Sequence, residues 1–151
     1  MKVIARNKKA AFNYFLDDQH DAGIVLKGTE IKSIRAGRVN ITDAFIRIKR
    51  NEAFIMNMHI AKYKEGNQFN HDETRERKLL LHKREIIKLF NKVQQDKINL
   101  IPTEVYLVEG LCKIKFAEAK SKKLHDKRHT LKAKDEQRHL KKILKDRRVN
   151  E

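Results

Sequence analysis

The chain has 151 residues, of which 36 are lysine or arginine and 20 are aspartate or glutamate, so its formal net charge at pH 7 is +16. This length holds one compact domain with an appendage and excludes a multidomain enzyme. The single cysteine excludes an intramolecular disulfide, and no segment approaches the roughly 20 apolar residues of a membrane span. The positive charge favours nucleic acid over an anionic membrane surface as partner, because neutralised phosphates release counterions. We therefore expect a cytoplasmic nucleic-acid-binding protein with no membrane partner.

Residues 12–16 and 23–26 show the apolar stretches and the flanking polar residues that are typical of short strands. We expect the two strands to pair with each other. The segment between them holds Asp17, Asp18 and Asp21, and its polar composition predicts a solvated turn.

A short helix is predicted to begin at Thr29, whose side chain can cap it, and to end before the glycine at position 37. Ile31 and Ile34 are three residues apart and share one face of this helix, while Lys32 and Arg35 share another. The helix therefore presents a basic stripe beside its apolar side.

Two hairpins and a longer helix complete the body of the chain. The helix covers roughly residues 83–97 and repeats apolar side chains at three- and four-residue spacing, at Ile86, Ile87, Phe90 and Val93. The hairpins join residues 44–49 to 53–60 across 50–52, and 103–108 to 111–116 across Glu109 and Gly110. We predict that the helix packs on the sheet that these strands form.

Together these elements predict a mainly β fold for residues 1–118, a small antiparallel barrel of the oligonucleotide-binding type with about six strands and two or three helices. Cys112 lies inside a predicted strand and is expected in the core. The remaining residues, 119–151, form a basic tail. Residues 117–151 hold 13 basic and 6 acidic side chains, which leaves +7, and they include no aromatic residue.

Too few apolar residues lie in the tail to offset the entropy of ordering it alone. Leu140, Ile143 and Leu144 nevertheless stand at helical spacing among lysines and arginines. A helix that forms once phosphates neutralise this charge is one interpretation, and a permanently disordered, solubilising tail is the other.

Catalytic signatures are missing from the sequence: it has no glycine-rich phosphate loop, no cysteine pair for zinc, no His-Glu-x-x-His and no Gly-x-Ser-x-Gly. We therefore predict no enzymatic activity, no catalytic residue, no cofactor and no metal. A small nuclease that uses Asp17, Asp18 and Asp21 with a divalent metal is the competing hypothesis from the enzyme class. Three basic clusters, at residues 7–10, 75–78 and 120–123, suit contact with phosphates instead, although each alone could be solvated surface.

Seven ordered segments of the chain resemble one family closely, small protein B, the SsrA-binding proteins that serve transfer-messenger RNA in bacterial ribosome rescue. These segments are residues 7–10, 21–35, 37–41, 75–82, 101–102, 112–115 and 122–128. The resemblance implies a barrel that grips the tRNA-like domain of transfer-messenger RNA. It also implies a tail that is disordered when free and that becomes a helix in an mRNA channel left empty by a truncated message.

The partners implied by the resemblance are transfer-messenger RNA (SsrA RNA), the stalled 70S ribosome with its small-subunit ribosomal RNA, and elongation factor Tu with alanyl-transfer-messenger RNA. The function implied is delivery of that RNA to stalled ribosomes, which enables tagging of the nascent peptide and ribosome rescue. A basic ribosomal or initiation-type protein with the same barrel is the alternative within the RNA-binding class.

The resemblance and the basic clusters together define three sets of candidate residues. Those for binding transfer-messenger RNA are Asn7, Lys8, Lys9, Asp21, Lys32, Arg35, Arg77, Lys78 and Leu80. Those for the ribosomal decoding centre are Ser121, Lys122, Lys123, His125, Asp126, Lys127 and Arg128. Those for the tail helix in the mRNA channel are Arg138, Leu140, Lys141, Lys142, Ile143, Leu144 and Lys145.

Three of these positions leave a question open. Leu80 can contribute apolar contact to RNA or can pack in the core with its leucine neighbours. Asp21 stands where the family usually has glutamate, which has a longer side chain. Ser121 stands where the family usually has glycine, and it is strained by about 1 kcal/mol if that position requires a positive φ.

Overall fold

The computed structural model describes residues 1–64, 70–122 and 138, and the chain divides into two units, Met1–Ser121 and Lys122–Glu151. In the second unit it describes Lys122 and Arg138, and Arg138 is helical and exposed. The other tail candidates lie outside the described residues. They are Lys123, His125, Asp126, Lys127, Arg128, Leu140, Lys141, Lys142, Ile143, Leu144 and Lys145.

The described residues of the first unit form nine strands and three helices. In chain order they are β1 Lys2–Arg6, α1 Ala10–Asn13, β2 Tyr14–Ile24, α2 Gly28–Arg35, β3 Val39–Asn40, β4 Phe45–Lys49, β5 Glu52–Met56, β6 His59–Ile60, β7 Arg77–Leu80, α3 Lys83–Asp96, β8 Asn99–Val108 and β9 Leu111–Ser121. The prediction of a mainly antiparallel β fold with up to three helices is confirmed.

Six strands form a closed ring in the order β8–β4–β5–β7–β2–β9, and β9 pairs with β8 again. β1 extends the sheet from β8, while β3 and β6 form a separate two-stranded sheet. The ring is not a regular barrel, because β4 meets β8 at a single registered pair, Ile46 with Leu100, whereas β8 and β9 pair along nearly their whole length.

The predicted pair of strands at the start of the chain is wrong, because residues 14–24 form one continuous strand, β2. This strand pairs along β9, with an irregularity between Leu16 and Gln19. The long partner strand supplies the hydrogen bonds that a local hairpin would have supplied. Asp17, Asp18 and Asp21 therefore lie exposed along a strand rather than in a turn.

The two later hairpins are confirmed, and each has a two-residue turn. Arg50 and Asn51 have φ angles of 52° and 61°, and Glu109 and Gly110 have φ angles of 50° and 79°. Two successive left-handed residues give the twist that joins adjacent antiparallel strands without splaying them. The first turn is one residue shorter than predicted, because Glu52 already pairs with the end of β4.

The predicted strand over residues 53–60 is divided in the structure. β5 ends at Met56, and the next residue, Asn57, has a φ of 57°, which turns the chain. His59 and Ile60 then pair with β3 in the second sheet. Asparagine tolerates this left-handed conformation better than most residues do, so Asn57 is the local sequence signal for the break in the strand.

Helix α2 begins two residues earlier than predicted, because Lys27 rather than Thr29 is its cap. The backbone N–H of Lys27 donates to the carboxylate of Glu30 at 2.8 Å. The hydroxyl of Thr29 is instead hydrogen-bonded to Nδ1 of His71 at 2.8 Å, which links the helix to the segment before β7. Ile34 is fully buried and Ile31 packs against the core, as the spacing predicted.

Helix α3 agrees with the predicted range, but its predicted apolar stripe is partly wrong. Ile86 and Leu89 are buried and Val93 packs beside them, whereas Ile87 is 44% exposed and Phe90 is 41% exposed. The apolar face of the helix is wider than the part that packs against the core, so Ile87 and Phe90 at its edge are exposed.

The core is made mainly of aliphatic side chains, together with the fully buried Phe116. Cys112 belongs to it, as predicted, and burial raises the pKa of its thiol to about 11. Within residues 1–64 and 70–122, no helix has both the length and the apolar character that crossing a bilayer requires.

Candidate nucleic-acid interface

Strand β7 separates the candidate residues 77–80 into two faces. Arg77 and Leu79 are buried, while Lys78 and Leu80 are exposed, because alternate side chains of a strand point to opposite sides of the sheet. Leu80 is 56% exposed and Leu79 is 1% exposed. Leu79 is therefore the core residue, and Leu80 is available to a partner.

Arg77 was predicted to bind RNA, and the structure contradicts this, because its side chain is fully buried. Its guanidinium donates to the carboxylate of Glu30 and, at 2.7 Å, to the backbone oxygen of Met58. It also donates to the backbone oxygens of Asp72 and Glu73 at 3.3 and 3.2 Å. These bonds satisfy a charge that would otherwise be costly to bury.

The carboxylate of Glu30 is the centre of this buried cluster. Burial raises the pKa of Glu30, but hydrogen bonds from Arg75, the Lys27 backbone N–H and Arg77 outweigh it, so the pKa is lowered overall. The Arg75 contact is 2.6 Å long. Glu30 therefore stays ionised and anchors α2, the helix that carries Lys32 and Arg35.

A groove of about 650 Å³ opens on the outer surface of the ring where β7 meets β2. Asp21, Lys78 and Leu80 all line it, so the structure brings these three candidates together. Lys83 and Lys113 line the same groove. The carboxylates of Glu52 and Glu85 line it as well, and Lys78 lies 3.5 Å from Glu52. The groove therefore combines lysines for phosphates, carboxylates that accept hydrogen bonds and one exposed leucine for apolar contact.

Lys113 is a site residue that the sequence reasoning missed. It pairs with Gly23 on β2, and Gly23 in turn pairs with Leu80 on β7, so the three residues form one row across the sheet. The alternation in β9, where Cys112 and Ile114 are buried, was the signal that places Lys113 on the outer face.

Asp21 is held in position on this face by Tyr106, whose hydroxyl donates to its carboxylate at 2.8 Å. Burial, the hydrogen bond to Asp21 and the negative charges of Asp21 and Glu104 together raise the pKa of Tyr106 to about 12. The phenol therefore remains a donor at neutral pH. The aspartate thus reaches a partner within this chain despite its shorter side chain.

A second groove of about 310 Å³ lies on the other side of Leu80 and is mainly apolar. Ile31 of α2 and Leu111 line it together with Leu80 and Lys113. Helix α2 therefore borders the interface. Nζ of Lys32 lies 5.3 Å from the centre of the Tyr63 ring.

The candidates at the end of β1 occupy a different position. The side-chain amide of Asn7 donates to the backbone oxygens of Ile41 and Pro102 at 3.3 and 3.1 Å, which is a structural role. Lys8 and Lys9 are exposed. None of Asn7, Lys8 and Lys9 lines either groove beside Leu80.

Comparison with known protein families gives a match over most of this chain. The family model described as SmpB protein matches residues 4–146. The chain belongs to the SmpB family.

Its relatives in this family are similar over nearly their whole length. The SsrA-binding protein of Bacillus cereus (strain G9842) is 52% identical over 146 residues, which are 97% of this chain and 94% of that protein. The SsrA-binding protein of Shouchella clausii (strain KSM-K16) is 50% identical with the same coverage. A solved structure described as "tmRNA-SmpB: a journey to the center of the bacterial ribosome" contains a chain that is 41% identical, with a TM-score of 0.68, over 82% of this chain and 87% of that one.

Ser121 of this SmpB-family chain ends β9 and pairs with Tyr14. It is absent from the described residues with positive φ, so serine at this position carries no left-handed strain. The side-chain amide of Asn99 donates to its hydroxyl at 3.4 Å.

Two of the three acidic residues of β2, Asp18 and Asp21, have partners within the SmpB fold. Asp21 accepts from Tyr106, and Asp18 lies 3.9 Å from Nζ of Lys92. His20, which lies between them, contacts Glu118 at 2.9 Å. Within residues 1–64 and 70–122, no three histidine, cysteine, aspartate or glutamate side chains are grouped as a metal site requires.

Proposed function

We propose that this chain is an RNA-binding factor of trans-translation whose body binds the tRNA-like domain of transfer-messenger RNA. The observation that carries the proposal is the groove at Leu80, where Lys78, Lys83 and Lys113 surround one exposed leucine. The family and the SsrA-binding relatives identify the RNA. In the bacterial cell such a factor acts where ribosomes translate, in the cytoplasm.

The groove offers each kind of contact that RNA recognition uses. The lysine ammonium groups exchange condensed counterions for phosphates, so binding weakens as salt rises. Leu80 provides an apolar surface against the face of a base or sugar. The carboxylate of Asp21 accepts hydrogen bonds from base amino groups or ribose hydroxyls, and Tyr106 holds it in place. None of these contacts requires covalent chemistry, so the proposed role is not that of an enzyme.

The tail that follows β9, Lys122–Glu151, supplies the second half of the proposal. From the junction at Ser121 and Lys122 it enters the decoding centre with the residues up to Arg128, and it lies as a helix in the vacant mRNA channel. Intact mRNA would occupy the same path, so the tail finds ribosomal RNA phosphates for its charge only when the channel is empty. Elongation factor Tu delivers the complex with alanyl-transfer-messenger RNA, and tagging of the stalled peptide follows.

The decisive experiment compares binding to an isolated tRNA-like domain of transfer-messenger RNA with binding to an elongator tRNA at near-physiological salt. We expect nanomolar affinity for the former and much weaker binding to the latter. The Leu80→Ala and Lys113→Ala variants should each weaken the former roughly tenfold, which corresponds to about 1.4 kcal/mol.

Lys88→Ala is the matched control, because Lys88 is exposed on α3 and lines neither groove. It removes the same charge and should leave the preference intact. Equal, weak binding of both RNAs would favour a basic ribosomal protein instead.

A further inference from the structure

A third groove lies on the outer surface where β4 meets α3, and two phenylalanines open into it. Phe45 is 38% exposed and Phe90 is 41% exposed, and both line the same space of about 420 Å³. Large apolar side chains that are exposed together in one groove indicate a surface that a partner covers. The proposed contacts with the tRNA-like domain use neither residue.

The charge of this groove indicates the chemistry of its partner. Arg47 lines it two residues along β4 from Phe45, on the same outward face. Among the described residues, Arg47 has no ion-pair partner, and no acidic side chain lines the groove. Gln94 is the other polar side chain there. Aromatic side chains beside an unpaired guanidinium suit an anionic ligand that has planar aromatic rings.

A row of outward side chains connects this groove to the one beside Leu80. Arg47 on β4 pairs with Phe54 on β5, and Phe54 pairs with Lys78 on β7. Nζ of Lys49 lies 5.1 Å from the centre of the Phe54 ring. Since adjacent strands are about 4.8 Å apart, the row crosses the sheet in about 10 Å. Cationic and aromatic side chains thus alternate between the two grooves, with Lys49 paired to Glu76 and Lys78 to Glu52.

We propose that Phe45, Phe90 and Arg47 form a binding site for unpaired nucleotides of RNA, separate from the groove beside Leu80. Bases stack on the two phenyl rings, and a phosphate pairs with Arg47. Paired bases hide their faces within a helix, so the site selects single-stranded RNA. The inference rests on the proposed function only in taking RNA as the ligand.

The test measures the affinity of the full-length protein for a fluorescein-labelled, unstructured ten-nucleotide RNA and for a labelled RNA duplex of equal charge. The informative variant is Phe45→Leu/Phe90→Leu, which keeps the apolar character and removes the aromatic faces. It should weaken binding of the single strand at least tenfold and leave duplex binding within twofold. Arg47→Gln should weaken the single strand several-fold and reduce its salt dependence.

Ile87→Ala is the matched control, because Ile87 is exposed on the same helix and does not line the groove. Its affinity for both RNAs should equal that of the wild type. Thermal unfolding of each variant is recorded in parallel, and if the double variant is unfolded, the single Phe90→Leu variant replaces it. Photo-crosslinking of a 4-thiouridine-substituted strand should label β4 and the C-terminal half of α3.

Unchanged single-strand affinity in the leucine variant would overturn the proposal, and so would an equal loss for single strand and duplex. Crosslinks confined to other segments would also overturn it. If the variants retain RNA affinity and the protein captures acidic peptides, the groove is a protein-binding site and the proposal is overturned as well. If one of these results is found while binding of the tRNA-like domain still depends on Leu80 and Lys113, only this inference fails. If the phenylalanine variant loses the single strand while Lys113→Ala binds the tRNA-like domain normally, the proposed function fails instead.

Discussion

Leu80 lies directly against Gly23 of the neighbouring strand. A Cβ atom added to Gly23 would stand 3.3 Å from Cδ1 and 3.4 Å from Cβ of Leu80. The φ of Gly23 is not in the left-handed region, so the position requires glycine for space rather than for backbone freedom. The missing side chain lets an exposed leucine rest on β2 with a groove on each side.

Gly23→Val should therefore weaken binding of the tRNA-like domain about as much as Leu80→Ala does, roughly tenfold, because the branched side chain displaces Leu80. A filter-binding titration measures the effect. Gly28→Ala is the control, since nothing lies within 4 Å of a Cβ at that position. Wild-type affinity in Gly23→Val would show that the position of Leu80 is unimportant.

Arg77 and Lys78 are adjacent in the chain and should respond oppositely to the same substitution. Arg77→Met leaves the buried Glu30 without one of its two guanidinium partners and should lower the free energy of unfolding by about 3–5 kcal/mol. Lys78→Met should change it by less than about 0.5 kcal/mol and instead weaken RNA binding. Urea denaturation and RNA titration of both variants test this, and a stable Arg77→Met protein would contradict the buried cluster.

Glu118 should make the stability of the fold depend on acid pH. Burial raises its pKa, but hydrogen bonds from His20 and Lys92 outweigh that effect and lower it below the ordinary value of 4.5. Because the folded pKa is lower than the unfolded one, its stabilisation is present above about pH 4.5 and is lost as pH falls through the folded pKa.

The Glu118→Gln variant carries no charge at this position and isolates the effect. We expect it to be less stable than the wild type at pH 7 and the difference to shrink as pH falls below about 4.5. Urea denaturation at intervals across this range provides the measurement. A difference that stays constant with pH would mean that the Glu118 carboxylate does not contribute through its charge.

Truncation of the tail should separate RNA binding from ribosome rescue. β9 continues to Ser121, and Ala119 is fully buried, so the cut belongs after Lys122. The truncated protein should bind the tRNA-like domain within a few-fold of the full chain and should fail to support tagging in reconstituted translation of a truncated message. Loss of RNA affinity on truncation would contradict the division into a gripping body and a probing tail.

The sequence predicted those features that depend on neighbours along the chain. Glu109 and Gly110 indicate a tight turn, and the apolar spacing of Ile31 and Ile34 indicates a helix face, because both patterns act over a few residues. The acidic segment of β2 was predicted wrongly for the same reason. A turn is the local preference of Asp17 and Asp18, whereas in the structure they form an irregularity within β2, whose flanking residues pair with β9, about a hundred residues away.

By itself, then, the sequence determined the fold class, the basic surface and the resemblance to an RNA-binding family, since composition, alternation and motif order are properties of the chain. Only the tertiary structure decided which basic side chains face a partner. Arg77 and Lys78 are adjacent basic residues that the sequence does not distinguish. Arg77 is fully buried against Glu30, whereas Lys78 lines a groove. Lys113 joins Leu80 only through the pairing of three strands. The reason is that side-chain exposure depends on which strands pair and in what register, and those contacts join residues far apart in the chain.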